Sequence, residues 1–96
     1  MDVLVTYDVT TDTPAGRKRL RKVADACVGF GQRVQYSVFE CSLTEVQLET
    51  LRHKLLGIIN EDEDSLRIYR LPQPRERHLW IYGVKRGIDF SGPLIV

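Results

Sequence analysis

Residues 2–9 read DVLVTYDV: Val3, Val5, Tyr7 and Val9 alternate with Asp2, Leu4, Thr6 and Asp8. An alternation of period two, rich in β-branched residues, predicts a strand. Leu4, on the face opposite the valines, indicates burial on both faces and hence a central strand. Asp8 falls at its C-terminal end, on the face opposite Tyr7.

Downstream, Thr13-Pro14 pairs a hydroxyl N-cap with proline at the first helical position. Leu20, Val23, Ala24 and Cys27 then recur at helical spacing until Gly29 and Gly31. At about 100° per residue, Arg17, Lys18, Arg21 and Lys22 fall opposite this stripe, and Arg19 at its edge can lean toward the sheet. Residues 33–43, RVQYSVFECSL, look strand-like but change phase, from Val34, Tyr36 and Val38 to Phe39, Cys41 and Leu43. Such a switch means either a bulged strand or a very short reversal, and no Gly, Pro or Asn marks a turn. Thr44 and Gln47 fit a capping box, followed by a stripe of Leu48, Leu51, Leu55 and Ile58 or Ile59. After the acidic connector 61–64, residues 65–71 predict a strand that Pro72 stops, and residues 79–84, LWIYGV, predict another.

This order of elements matches an α+β sandwich with two helices on one face of an antiparallel sheet, the ferredoxin-like layout. Ninety-six residues, 43% of them apolar, predict a single domain with a small core, for which burial across a subunit interface would help. No run of eighteen apolar residues is present, so no transmembrane helix is expected. The start of the chain lacks the pattern of a signal peptide, and a cytoplasmic protein is expected. Cys27 and Cys41 then count as core fillers, and a disulfide or a zinc site is not expected.

The net charge of +1 hides an asymmetry. Six bases between residues 14 and 36 face the single acid Asp25, and seven acids between 37 and 64 face Arg52 and Lys54. From residue 65 onward Arg67, Arg70, Arg75, Arg77, Lys85 and Arg86 restore positive charge. Folding could gather the two basic blocks into one phosphate-binding surface, or leave them as solvated faces. Phosphate-loop, dinucleotide, nucleophile-elbow and zinc-protease motifs are absent, as is the aromatic RNP1 pattern of sheet-stacking RNA binders. His53 and His78 have no paired ligand and read as surface residues. Asp8 stands out, because a carboxylate ending a central strand needs a hydrogen bond, a charge or a metal if it is buried. It either caps the turn over residues 8–12 or, doubled by a symmetric dimer, forms a two-carboxylate site suited to Mg²⁺.

Residues 3–9, the basic helix RKRLRKVADAC, GQRVQYSVFEC from Gly31 to Cys41 and EDSLRIYRL from Glu63 to Leu71 closely resemble the CRISPR-associated protein 2 family. The closing PLIV resembles its type I-C branch. The resemblance spans nearly the whole chain. It implies a ferredoxin-like protomer in a homodimer, with the C-terminal part, about residues 79–96, pairing with the partner's sheet. It further implies a role in spacer acquisition with the CRISPR-associated protein 1 integrase. Metal-dependent cleavage of RNA or double-stranded DNA is implied as well. Tyr7 and Asp8 match the family's catalytic and metal motif, for Mg²⁺ or Mn²⁺. Arg17, Arg19, Arg21, Arg33 and Phe39 match its basic and aromatic nucleic-acid-binding positions. Two functions are open on this reading: a nuclease using Asp8, and a non-catalytic scaffold that clamps DNA with its basic blocks. A small-metabolite regulatory domain is the alternative outside the family, and it would need a ligand loop that does not follow the first strand.

Overall fold

The computed structural model describes residues 1–83. Its elements are β1 (Asp2–Asp8), α1 (Pro14–Val28), β2 (Gln32–Gln35), β3 (Val38–Ser42), α2 (Glu45–Leu56), β4 (Ser65–Arg70) and a 3₁₀ turn at Arg75–Arg77. The four strands pair antiparallel in the order β2-β3-β1-β4. This is the ferredoxin-like arrangement, with β1 central as its apolar pattern on both faces predicts.

Local chemistry sets both helix starts. The Thr13 hydroxyl accepts the Gly16 N–H at 3.0 Å, and Pro14 enters where no intrahelical donor is needed. In α2, the Thr44 hydroxyl accepts from the Gln47 N–H at 3.1 Å, while the Gln47 side chain accepts from the Thr44 N–H at 2.9 Å. The two helices lie on one face of the sheet. Val3, Val5, Tyr7, Phe39 and Cys41 point from the strands to meet Val23, Ala26 and Cys27 of α1 and Leu48, Leu51 and Leu55 of α2. Burial pushes the Cys27 thiol up to about 12 and the Cys41 thiol up to about 11, so both stay protonated core fillers.

The phase switch in residues 33–43 resolves as a hairpin. Gln35 pairs with Val38 across a two-residue turn, Tyr36-Ser37. Two-residue hairpins normally use turns that need positive φ. Here, among the described residues, only glycine has one. The mismatch is absorbed next door: Arg33 pairs with Phe39 and Gln35 with Val38, leaving Val34 as a bulge that adds local twist. The segment is thus a reversal and a bulge together, and each alternative open on the sequence holds in part.

The strand expected at 79–84 is corrected over its described part: Leu79–Gly83 has no strand pairing, and Trp80, Ile81 and Tyr82 are exposed. Alternating apolar residues make a strand only by pairing with a neighbouring edge, and among the described residues these pair with none. The chain instead crosses the uncovered face of the sheet, Gln73 donating to Asp2 at 2.9 Å and Arg75 to Glu40 at 3.1 Å. The expected exchange of the C-terminal part falls largely on residues 84–96, outside the described residues.

Gly16 sits in the first turn of α1, where an added Cβ would run into the Thr10 carbonyl. Alanine inside a helix normally gains about 1 kcal/mol over glycine, but forcing atoms into a packed contact costs about 1–3 kcal/mol. Gly16→Ala should therefore lower the thermal midpoint followed by circular dichroism. Gly57→Ala is the control: φ is −75° and the nearest heavy atom is 3.5 Å away, so the midpoint should hold or rise slightly.

Candidate functional site

Asp8 ends β1, opposite Ser65 of β4, with its side chain exposed on the uncovered face of the sheet. It lines an open hollow of about 330 Å³ together with Thr6, Tyr7, Ser37, Val38, Ser65, Arg67 and Tyr69. The Arg67 guanidinium donates to the Tyr69 hydroxyl at 3.2 Å, which holds a cation in the hollow beside the carboxylate. No salt bridge among the described residues engages Asp8. A carboxylate, a guanidinium and hydroxyl groups on one shallow surface suit a phosphate-bearing ligand or a hard cation. Sequence reasoning places Arg67 only in a basic block. The signal is nevertheless present: Leu66 and Ile68 pack on the core, so alternation sends Ser65, Arg67 and Tyr69 to the other face.

The turn after Asp8 is held by a buried carboxylate. Asp64 has a fully buried side chain, and it accepts hydrogen bonds from the Thr10 N–H at 3.2 Å and the Asn60 N–H at 2.9 Å. Arg19 reaches down from α1 to complete the set, with its Nε 2.8 Å from Asp64 and another nitrogen 2.9 Å from Glu63. The Thr10 hydroxyl adds a bond to the Glu63 carbonyl at 2.7 Å. Burial pushes the Asp64 carboxyl up, but Arg19 and the two backbone donors outweigh it and hold it below the usual carboxylate range. Arg19, expected to contact nucleic acid, is thus engaged inside the protein. Its place at the edge of the apolar stripe is what lets it lean inward.

Tyr7 and Asp8 adjoin in sequence and point to opposite faces. Tyr7 is buried on the helix side, its ring stacked on Phe39 at 6.3 Å between centroids, its hydroxyl donating to the Tyr36 carbonyl at 3.3 Å. Burial raises the hydroxyl's pKa, with the nearby Arg33 guanidinium offsetting part of the effect. Tyr7 thus lines the Asp8 hollow while its hydroxyl is turned to the helix side and engaged by the Tyr36 carbonyl. Phe39 is fully buried and cannot reach a nucleic acid; its role here is packing. The Arg33 guanidinium lies 5.0 Å over the Phe39 ring, and its Nε is buried with no hydrogen-bond partner among the described residues. A cation–π contact offsets part of that desolvation.

The two basic blocks do not merge into one surface. Arg17, Lys18, Arg21 and Lys22 are exposed on α1, over the covered face, whereas Arg67 points from the other face. Arg70 and Arg75 pair with Glu45 and Glu40. Arg17 donates to the Thr11 carbonyl at 3.1 Å, which places it at the end of the sheet where β1 finishes, with Arg21 one helical turn further along.

These features define a class: a ferredoxin-like α+β protein whose uncovered sheet face holds a strand-terminal carboxylate beside a fixed guanidinium. The family model described as CRISPR associated protein Cas2 matches residues 1–78. A CRISPR-associated endoribonuclease Cas2 of Moorella thermoacetica is 58% identical over the full length of both chains. A CRISPR-associated endonuclease Cas2 of Halalkalibacterium halodurans is 52% identical over 99% of each. The crystal structure of Streptococcus pyogenes Cas2 at pH 6.5 superposes with a TM-score of 0.77 at 55% identity, covering 86% of this chain and 100% of that one. This chain belongs to the Cas2 family.

A carboxyl whose folded pKa lies below its unfolded value adds stability above the unfolded pKa, and that stability is lost as pH falls through the folded value. Asp64→Asn should cost about 1.5–3 kcal/mol at neutral pH, the range for hydrogen bonds to a charged group. The gap between variant and wild type should narrow below about pH 4, as read from urea midpoints across that range. A gap that does not change with pH would show that the charge on Asp64 adds nothing.

Proposed function

We propose that this protein acts in CRISPR adaptation as a homodimer that binds nucleic acid and cleaves phosphodiester bonds of RNA or double-stranded DNA. Its partners would be the CRISPR-associated protein 1 integrase and Mg²⁺ or Mn²⁺. The single observation behind this reading is Asp8, an exposed carboxylate without an ion-pair partner among the described residues, fixed at the end of the central strand beside Arg67. The names of the Moorella and Halalkalibacterium relatives, an endoribonuclease and an endonuclease, support the same reading.

One carboxylate does not cage a cation, and among the described residues no cluster of three or more His, Cys, Asp or Glu does so. Mg²⁺ needs only one or two carboxylates when water and phosphate oxygens fill the rest of its shell. Two-fold symmetry would supply a second Asp8. Supporting such a dimer, no helix among the described residues covers the face that carries Leu4, Val38 and Tyr69, and Trp80 and Ile81 are exposed. When bound, the ion would lower the pKa of a coordinated water and offset charge on the phosphodiester. This chain's own residues would do the rest: Asp8 holds the ion, Arg67 draws a phosphate oxygen into the hollow, and the Asp64 cluster keeps the Asp8 turn rigid.

A non-catalytic clamp is the second reading. It is favoured by the exposed cations of α1 and by the hydroxyl of Tyr7, the expected partner of Asp8, being turned to the helix side. Two measurements separate the readings. Asp8→Asn should lower Mg²⁺-dependent cleavage of short RNA and duplex DNA by about 10²-fold or more, with the dimer intact by sedimentation; unchanged cleavage would overturn the nuclease reading. Replacing Arg17, Lys18, Arg21 and Lys22 with glutamine should flatten the salt dependence of duplex binding by about 0.9 in log–log slope for each phosphate no longer neutralised. An unchanged slope would remove α1 from the nucleic-acid surface.

A further inference from the structure

Tyr36 sits in the turn between β2 and β3 and is 91% exposed, the highest value among the exposed large hydrophobic residues described. Turns of this kind favour glycine, asparagine, aspartate and serine. Nothing in the turn uses the ring. Its backbone, by contrast, is tied to β1: the Tyr36 carbonyl accepts from the Tyr7 hydroxyl at 3.3 Å, and the Ser37 carbonyl accepts from the Tyr7 N–H at 3.1 Å. The strand that ends in Asp8 thus anchors the turn, and the neighbouring Ser37 lines the Asp8 hollow with Arg67. An exposed aromatic residue anchored to β1 through its backbone thus lies one residue from the lining of a hollow that holds a guanidinium and a carboxylate.

We infer that Tyr36 is a stacking platform for an unpaired base of a single-stranded nucleic acid whose backbone crosses the Asp8 hollow. The inference rests on the proposed phosphodiester chemistry there. Stacking on an aromatic side chain needs a base with a free π-face, which a strand supplies and an intact duplex does not. It tolerates any base, so the platform selects unpaired structure and not sequence. RNP1-type recognition places its aromatics on the sheet surface; here the ring stands at the tip of a hairpin, so the absence of that motif does not bear on it.

The test is the affinity of wild type, Tyr36→Ala and Tyr36→Phe for fluorescent strands of about ten nucleotides, as RNA, as DNA and as duplexes of the same sequence. Tyr36→Ala should bind both single strands about 5- to 100-fold more weakly, with duplex affinity unchanged and Tyr36→Phe close to wild type. Scanning one abasic site along the strand should reveal a position that weakens wild type and leaves Tyr36→Ala unaffected. Equal affinity of wild type and Tyr36→Ala for single strands would overturn the inference, as would an equal loss on duplexes. Asp8→Asn, assayed in parallel, keeps the two proposals apart: it should retain the single-strand preference while losing cleavage. Persistence of cleavage in Asp8→Asn would sink the nuclease reading alone.

Discussion

A carboxylate shielded from water must find donors, and the rest of this structure is arranged around where Asp64 finds them. Its oxygens take the Thr10 N–H from the turn after β1, the Asn60 N–H from the loop after α2, and the Arg19 guanidinium from α1. Removing any one would leave charge or a polar group uncompensated in a place water does not reach. The turn after β1, helix α1 and the loop between α2 and β4 are thereby held together at one end of the sheet. That end carries Asp8, two residues before Thr10 and paired with Ser65, which follows Asp64 directly.

The second constraint is that helices cover only one face of the sheet. Successive side chains of a strand point to opposite faces, so every strand divides its residues between core and surface. Val3, Val5 and Tyr7 are committed to packing, and Leu4, Thr6 and Asp8 to the uncovered face. The same rule buries Leu66 and Ile68 and turns Arg67 and Tyr69 toward Asp8. The cations of α1 and Arg67 of β4 consequently lie on opposite layers, two separate surfaces for an extended polyanion instead of one continuous strip.

Much of this was legible in one dimension because its causes are local. The Thr13 and Thr44 caps, the apolar stripes of both helices, the central character of β1 and the place of Asp8 at its end, opposite Tyr7, each follow from residues within a few positions of one another. Other features depend on a distant partner. Arg19 looks like one more base in a basic run until Asp64 is brought beneath it. Phe39 and Tyr7 look available for a ligand until the helix layer closes over them. Residues 79–83 alternate as a strand would, yet a strand needs a neighbour with free backbone groups.

The sequence by itself determined the class of fold, the two helices and the central strand, the helix boundaries within a few residues, the family, and the candidacy of Asp8. Periodicity and capping are short-range effects, so they survive in a linear reading. Only the tertiary structure decided which charges remain available to a ligand. It neutralised Arg19, buried Tyr7 and Phe39, set Arg67 beside Asp8, and turned the phase switch at residues 33–43 into a bulged hairpin with Tyr36 at its tip. Whether a charge or a ring is free depends on what lies across from it, and that is settled by packing between residues far apart in the chain.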